Sequence, residues 1–329
     1  MYKGIFILNL DVFERIYPPF VRRRIEQHVE WVAPPHSAEM VMQNPAVLHA
    51  VEVIFSGWGC ITFTPEVLQA APKLRAVFYG AGSIRGIVTP EFWQRGILIT
   101  SAYKANAVAV AEFTLGEILL SLKRFWQHAA NFKQNRAYER LPVPGAYRTT
   151  VGLVSLGAVG GRVADLLRNF DLQVIAYDPF VSPQRAAELS VELCSLEEVF
   201  RRAEVVSLHT PWIPETEGMI RGEHFAAMKP GATFINTARG AVIRENEMIA
   251  ILQQRPDLFA LLDVTHPEPP LPDSPLYTLP NVILTPHIAG VMDAECGRMG
   301  AFMAEELEHF IRGEPLQAGI TQEQAKILA

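Results

Sequence analysis

The chain has 329 residues, 49% apolar and 19% charged, with a net charge of −6. That length exceeds what one hydrophobic core usually serves, so two lobes are expected, and the composition excludes a disordered chain. Lys and Arg are scattered without a dense basic block, which removes the phosphate-backbone footprint of a nucleic-acid binder.

The start, MYKGIFILNLDVFERIYPP, has a short apolar run without a cleavage-like small-residue site, and no run of about 18 apolar residues is expected anywhere. Neither export nor a membrane span is therefore predicted. Short β-rich runs follow in chain order: KGIFILN, VEVIF, LRAVFYG and ILITS, then VGLVSLG, LQVIAYD, AEVVSLH, ATFINT, FALLDV and NVILTP. Their alternation with helical patterns predicts parallel sheets covered by helices. Thr64-Pro65-Glu66 and Thr89-Pro90-Glu91 read as helix starts, and Ser195 with Glu198 as a capping box. The strands fall into two sets, before residue 101 and after 150, joined by AVAVAEFTLGEILLSLKRFWQHA, read as one long helix. NRAYERLPVPGAYRTT reads as surface connection, and MDAECGRMGAFMAEELEHFIRG as a second long helix ending near Gly313, able to return to the first lobe. Cys60, Cys194 and Cys296 cannot all pair and lack the spacing of a metal or redox motif. No metal is expected, and a reducing cytoplasm is.

Residues 151–178 run strand, glycine turn, amphipathic helix, strand and acid, the order of a βαβ unit. The phosphate-binding pattern G-x-G-x-x-G stands here as Ser155, Gly157 and Gly160. Gly157 lets backbone approach a pyrophosphate, Gly160 lets helix and strand pack, and unpaired N–H groups at the helix start favour the anion. Serine in the first position permits the turn if its φ is negative. Asp178 falls where such folds place the acid that binds the adenosine ribose and repels a 2′-phosphate, so NAD is expected over NADP. The plain alternative is a turn and a strand-end aspartate with no ligand.

Arg239, Glu268 and His287 lie at the ends of later strands, where doubly wound sheets bind ligands. Reducing a carbonyl to an alcohol needs a hydride at carbon and a proton at oxygen, and histidine titrates near neutrality. A carboxylate on the imidazole favours its charged form, and a guanidinium holds a substrate carboxylate with its neighbouring carbonyl. Each residue alone would more often be a surface ion pair, a solvated acid or a packing histidine. Asp263, ending FALLDV, is either a partner for a nicotinamide carboxamide or a turn cap. His209 and His266 are weaker candidates without a proton-transfer role.

These motifs resemble the D-isomer-specific 2-hydroxyacid dehydrogenases. The resemblance rests on GAGSIRGIV, ANAVAVAEFTLGEILL, VGLVSLGAVGGRVADLL, VIAYDP, VVSLHTPWIPET, FINTARGAVIRE, LLDVTHPEPPLPDSPL and NVILTPHIAG, in family order. It implies a Rossmann-type doubly wound α/β domain over residues 106–291 and a smaller flavodoxin-like α/β substrate domain, discontinuous over 1–105 and 292–329. It implies NAD as cofactor and a homodimer built through the NAD-binding domain. The family's catalytic arginine, glutamate and histidine match Arg239, Glu268 and His287. Backbone of Gly80, Ala81 and Gly82 would hold the substrate carboxylate with Arg239 and His287. The cofactor surface would take in Ser155, Leu156, Gly157, Ala158, Val159, Gly160, Asp178, Thr210, Pro211, Thr237, Ala238, Asp263 and Gly290.

Several positions depart from the family pattern. Ser155 replaces a glycine, Arg85 adds a charge after the GAG loop, and DVTHPEP stands where D-V-F-E-x-E-P is common. The first 70 residues match poorly and include Tyr2, Trp58 and Cys60, each able to line a substrate pocket. The expected activity is hydride transfer between NAD(H) and C2 of a small 2-hydroxy or 2-keto acid. An NAD(H)-sensing binding protein with little turnover is the alternative, and a methyltransferase on the same nucleotide fold ranks last.

Overall fold

The computed structural model describes residues 1–327. The chain divides into two compact units, residues 1–106 with 291–329, and residues 107–290. The first holds five parallel strands, β1 (Tyr2–Ile7), β2 (Val29–Trp31), β3 (Val53–Ser56), β4 (Ala76–Tyr79) and β5 (Leu98–Ser101). Their order is β2-β1-β3-β4-β5, the flavodoxin-like arrangement. β3 and β4 are buried at every residue, as a sheet covered on both faces requires. Thr64 and Thr89 cap their helices through side-chain bonds to the N–H of Val67 and Phe92. The helix Cys296–Arg312 belongs to this unit and ends at Gly313 with φ +67. Its Glu306 is fully buried yet satisfied, accepting from the backbone N–H of Gln317 (2.8 Å) and Ala318 (3.1 Å) and from Thr100 Oγ1.

The second unit carries seven parallel strands: β6 (Tyr147–Val154), β7 (Asp171–Tyr177), β8 (Glu192–Leu193), β9 (Val205–Leu208), β10 (Thr233–Asn236), β11 (Phe259–Leu262) and β12 (Val282–Leu284). The order β12-β11-β10-β9-β6-β7-β8 reverses between β6 and β9, as in a Rossmann sheet. One core cluster gathers Val154, Phe200, Val206, Phe225 and Phe234; another packs Ala111, Ile118 and Leu122 against Leu153, Ile235 and Leu261. Apolar groups thus cover both faces, and the polar ends of the strands remain as the places where chemistry can sit.

Three expectations change. The linking pattern is two helices, Tyr103–Leu122 and Phe125–Asn135, broken where Arg124 takes φ +46. The supposed surface connection already contains the start of β6 at Tyr147. Two short strands, β2 and β8, lie outside the expected set, because two or three residues are too few to display a period. The helix Tyr103–Leu122 is long and apolar enough by length and composition to cross a membrane, although Glu112 and Glu117 interrupt it and no unbroken apolar run of that length occurs in it. Half of its apolar window is buried inside the fold.

Candidate active site

The glycine turn lies at the switch point of the second sheet. The helix Ala158–Leu167 starts there, with Gly157 as its N-cap and its first helical bond from Gly161 N–H to the Gly157 carbonyl. The N–H groups before Gly161 are left to a ligand by the helix geometry. A side chain on Gly160 would strike the Ser155 carbonyl, whereas one on Gly157 would meet open space. Gly160 therefore serves packing, and Gly157 leaves the approach clear.

Ser155 has φ +76, so the turn forms without the negative angle that was its condition for serine. The turn keeps the glycine conformation with a residue that resists it. Ser155 Oγ lies 2.8 Å from Thr210 Oγ1, joining the loops after β6 and β9. Asp178, past the end of β7, accepts from Leu156 N–H at 2.7 Å through one oxygen and from Phe180 and Val181 N–H at 2.8 and 3.0 Å through the other. The acid is thus a brace for the turn, and its one remaining acceptor position is the one a ribose could use. His209, just past the end of β9, has both ring nitrogens enclosed without a hydrogen-bond partner. Burial pushes its pKa down to about 3, so it is neutral. Enclosed, unpartnered imidazole nitrogens beside an open anion-binding turn fit a bound dinucleotide, as do Gly157 and Asp178.

The proton-transfer candidates come from loops after β10, β11 and β12. Asn236 is buried and clips the first loop, accepting from Ala238 N–H (2.9 Å) and donating to the Arg239 carbonyl (3.2 Å). The Arg239 guanidinium donates to the Ala238 carbonyl. Burial lowers its pKa while the Glu268 charge raises it. Gly240 allows the next approach, since a side chain there would strike the Thr265 backbone. In the second loop Glu245 accepts from His266 N–H at 3.1 Å, and the Trp212 ring meets the His266 ring edge-on at 5.3 Å. That loop delivers Glu268, whose Oε1 lies 2.6 Å from His287 Nδ1.

His287 itself has φ +55, an unusual backbone for a bulky ring side chain. Asp263 holds it there. Its Oδ1 accepts from Thr285 Oγ1 (2.6 Å) and Ile288 N–H (2.8 Å), its Oδ2 from Ala289 N–H (2.8 Å), and its carbonyl from His287 N–H (3.0 Å). Of the two readings left open for Asp263, the loop-holding one accounts for all of these bonds, with one acceptor position to spare. Thr237 is tied to Thr114 through their hydroxyls, 3.1 Å apart.

In the first unit, the loop Gly80-Ala81-Gly82 follows β4. Ser101 Oγ donates to the Ala81 carbonyl at 2.8 Å and also contacts the Gly82 carbonyl. Those carbonyls are occupied, and the space over Gly82 is open. Trp58 follows β3 on the same sheet edge and is partly exposed, whereas Tyr2 begins β1 at the opposite edge, ringed by Phe310 and Arg75. Burial pushes the Cys60 thiol up to about 12, so it is an inert packing group.

The second unit is a Rossmann-type nucleotide-binding fold carrying an imidazole–carboxylate pair and a guanidinium at its strand ends. The family described as D-isomer specific 2-hydroxyacid dehydrogenase, NAD binding domain, matches residues 115–289, and the chain belongs to it. It is 35% identical over 255 residues to D-3-phosphoglycerate dehydrogenase of Mycobacterium tuberculosis, covering 77% of this chain and 48% of that one. The enzyme of the same name from Archaeoglobus fulgidus is 32% identical over 257 residues, with 78% and 49% covered. The chain thus spans about half the length of the curated relatives it matches. Among solved structures, a Thermus thermophilus protein superposes with TM-score 0.73 at 27% identity, covering 97% of this chain and 100% of that one. The NAD-complexed D-isomer specific 2-hydroxyacid dehydrogenase of Lactobacillus delbrueckii ssp. bulgaricus shares the fold, with TM-score 0.78 at 20% identity over 97% of this chain and 100% of that one.

Proposed function

We propose that the chain is an NAD-dependent oxidoreductase that interconverts a small 2-keto acid and its 2-hydroxy acid. The observation that carries this reading is the 2.6 Å contact between His287 Nδ1 and Glu268 Oε1. With Nδ1 engaged by the carboxylate, Nε2 is the nitrogen that gives the proton to the substrate oxygen. Glu268 fixes the orientation of the ring. Arg239 binds the substrate carboxylate and polarises the carbonyl; in the first unit the Gly80 N–H is donated to the Ser56 carbonyl at 2.8 Å, which leaves Ala81 and Gly82 as the anion-binding candidates of that loop. NADH, when bound, supplies the hydride. The turn at Ser155–Gly160 and the Asp178 carboxylate are its binding residues, with Thr210, Pro211, Thr237, Ala238 and Gly290 around them, and Asp178 disfavours the 2′-phosphate of NADPH.

The deciding experiment follows NADH oxidation with glyoxylate, pyruvate, hydroxypyruvate, phenylpyruvate and 2-ketoisocaproate, and NAD reduction with D-3-phosphoglycerate. Turnover with any of them supports the reading and sizes the pocket. Tight NADH binding without turnover on any would replace it with the sensor alternative.

We further propose a homodimer formed through the NAD-binding unit. Phe125, Phe132, Tyr138 and Tyr147 are exposed on the helix Phe125–Asn135 and the arm after it, and Trp126 Nε1 beside them is enclosed without a partner. Light scattering should give a dimer for the wild type and a monomer for Phe132→Asp; a Phe132→Asp dimer removes this face from consideration. The three free cysteines suit a reducing cytoplasm.

A further inference from the structure

The loop after β11 reaches Glu268 through Thr265-His266-Pro267 and leaves it through Pro269-Pro270-Leu271-Pro272. Prolines have no N–H, so this segment has few backbone donors with which to hold itself, and side chains must do so. Three of them meet it just before Glu268. Thr265 Oγ1 donates to the Pro267 carbonyl at 2.8 Å, spanning His266. Glu245 Oε2 accepts the His266 N–H at 3.1 Å. The indole of Trp212, from the loop after β9, meets the His266 imidazole edge-on, with 5.3 Å between centroids and 65° between planes. Trp212 is 36% exposed, so burial alone does not fix its ring; its Nε1 is held separately, donating to Glu217 Oε2 at 3.1 Å. The turn that carries it is closed by Thr216, whose hydroxyl donates to the Pro211 carbonyl at 2.6 Å and accepts from Ile213 N–H at 3.0 Å.

We propose that Trp212 and His266 are positioning residues: their ring contact sets the loop after β11, and with it the Glu268 carboxylate, where that carboxylate orients His287. The proposal rests on the proton-transfer role assigned to His287 above and gives neither ring a proton to move. The loop after β9 is a firm base for such a contact. Before Trp212, Thr210 Oγ1 lies 2.8 Å from Ser155 Oγ. Beyond it, Gly218 N–H donates to the Ala241 carbonyl at 2.9 Å and Ile220 N–H to the Val242 carbonyl at 3.0 Å, both on the loop after β10. Trp212 therefore stands on a segment tied at one end to the glycine turn and at the other to the Arg239 loop, and its ring reaches the third loop, two residues before Glu268. The contact that depends on this placement is the 2.6 Å approach of Glu268 Oε1 to His287 Nδ1. A displacement of ~1 Å at a positioned group costs up to about 10²-fold in rate, so a ring contact this near the carboxylate has leverage on turnover.

The experiment uses the full chain, with histidine labelled at Cε1 and with NADH and the best 2-keto acid as substrates. His266→Ala should lower kcat by about tenfold while the KM for NADH and the melting temperature stay close to the wild type, and Trp212→Ala should lower kcat to a similar extent. The double variant should be no slower than the slower single one, because both substitutions remove the same contact. His266→Phe keeps a ring against the indole and the N–H that Glu245 accepts, and should recover most of the loss. In NMR the His287 signal, assigned by its disappearance in His287→Ala, should move in both alanine variants and return toward its wild-type position in His266→Phe. Alanine variants with wild-type kcat, a His266→Phe protein as slow as His266→Ala, single effects that multiply in the double variant, or a His287 signal unmoved by either alanine variant would overturn the proposal. Full turnover by His287→Ala, or none by the wild type on any 2-keto acid, would instead overturn the proton-transfer reading, whatever the His287 signal does in the ring variants.

Discussion

The glycine turn and the proton-transfer loops stand at the same sheet edge of the second unit but are built on opposite plans. The turn is contiguous: Ser155, Gly157, Gly160 and the bracing Asp178 fall within 24 residues, and strand, turn and helix position them locally. The proposed proton-transfer group is assembled from residues 239, 268 and 287, each on a separate loop, and is held by Asn236, Glu245 and Asp263. Both regions contain a non-glycine residue at positive φ, Ser155 and His287. At Ser155 separate neighbours hold the strain: the Tyr177 carbonyl on its N–H, Thr210 on its hydroxyl and Asp178 on the next N–H. At His287 four hydrogen bonds to one aspartate do. Strain kept by dedicated partners marks the place where geometry matters to the chemistry.

Substitutions can break this contrast. Asp263→Ala should have the largest effect, leaving Thr285 and two backbone donors without their acceptor at a residue only 2% exposed. A loss of about 3 kcal/mol in urea unfolding is expected, with a fall in kcat beyond that explained by the unfolded fraction. A melt and rate both like the wild type would show that the loop holds itself. Asp178→Asn keeps one of the two accepting oxygens and turns an NH2 toward the other N–H donors, so a loss of about 1 to 2 kcal/mol in stability is expected with the fold retained. It should raise the NADPH-to-NADH ratio of kcat/KM by about tenfold as one like-charge contact is removed. An unaltered ratio would move ribose recognition elsewhere. Ser155→Gly should have the smallest effect, a gain of about 0.5 kcal/mol by thermal melt, since relief of the left-handed backbone is partly offset by the chain entropy of glycine. A loss instead would mean that the bond to Thr210 outweighs the strain.

The same contrast explains what can be read from the amino-acid sequence. The βαβ unit, the caps at Thr64, Thr89 and Ser195 and the end at Gly313 are local, and each appears where its residues place it. The break at Arg124 is hidden because the apolar pattern runs through it and no proline or glycine marks it. The sign of the Ser155 φ escapes a reading that weighs side-chain preference without the Gly160 helix packing against the serine carbonyl. Arg239, Glu268 and His287 can be nominated as types at strand ends. Their holder Asp263 depends on which strands lie side by side, and no spacing in the chain encodes that.

The most direct test of the central claim is His287→Ala, measured twice on the same preparation: NADH binding by fluorescence, and single-turnover NADH oxidation with the best 2-keto acid. Binding close to the wild type together with a rate lowered by about 10²- to 10⁴-fold is the expected result. A rate within a few-fold of the wild type would contradict it, and would mean that the imidazole held by Glu268 and Asp263 is not the proton donor.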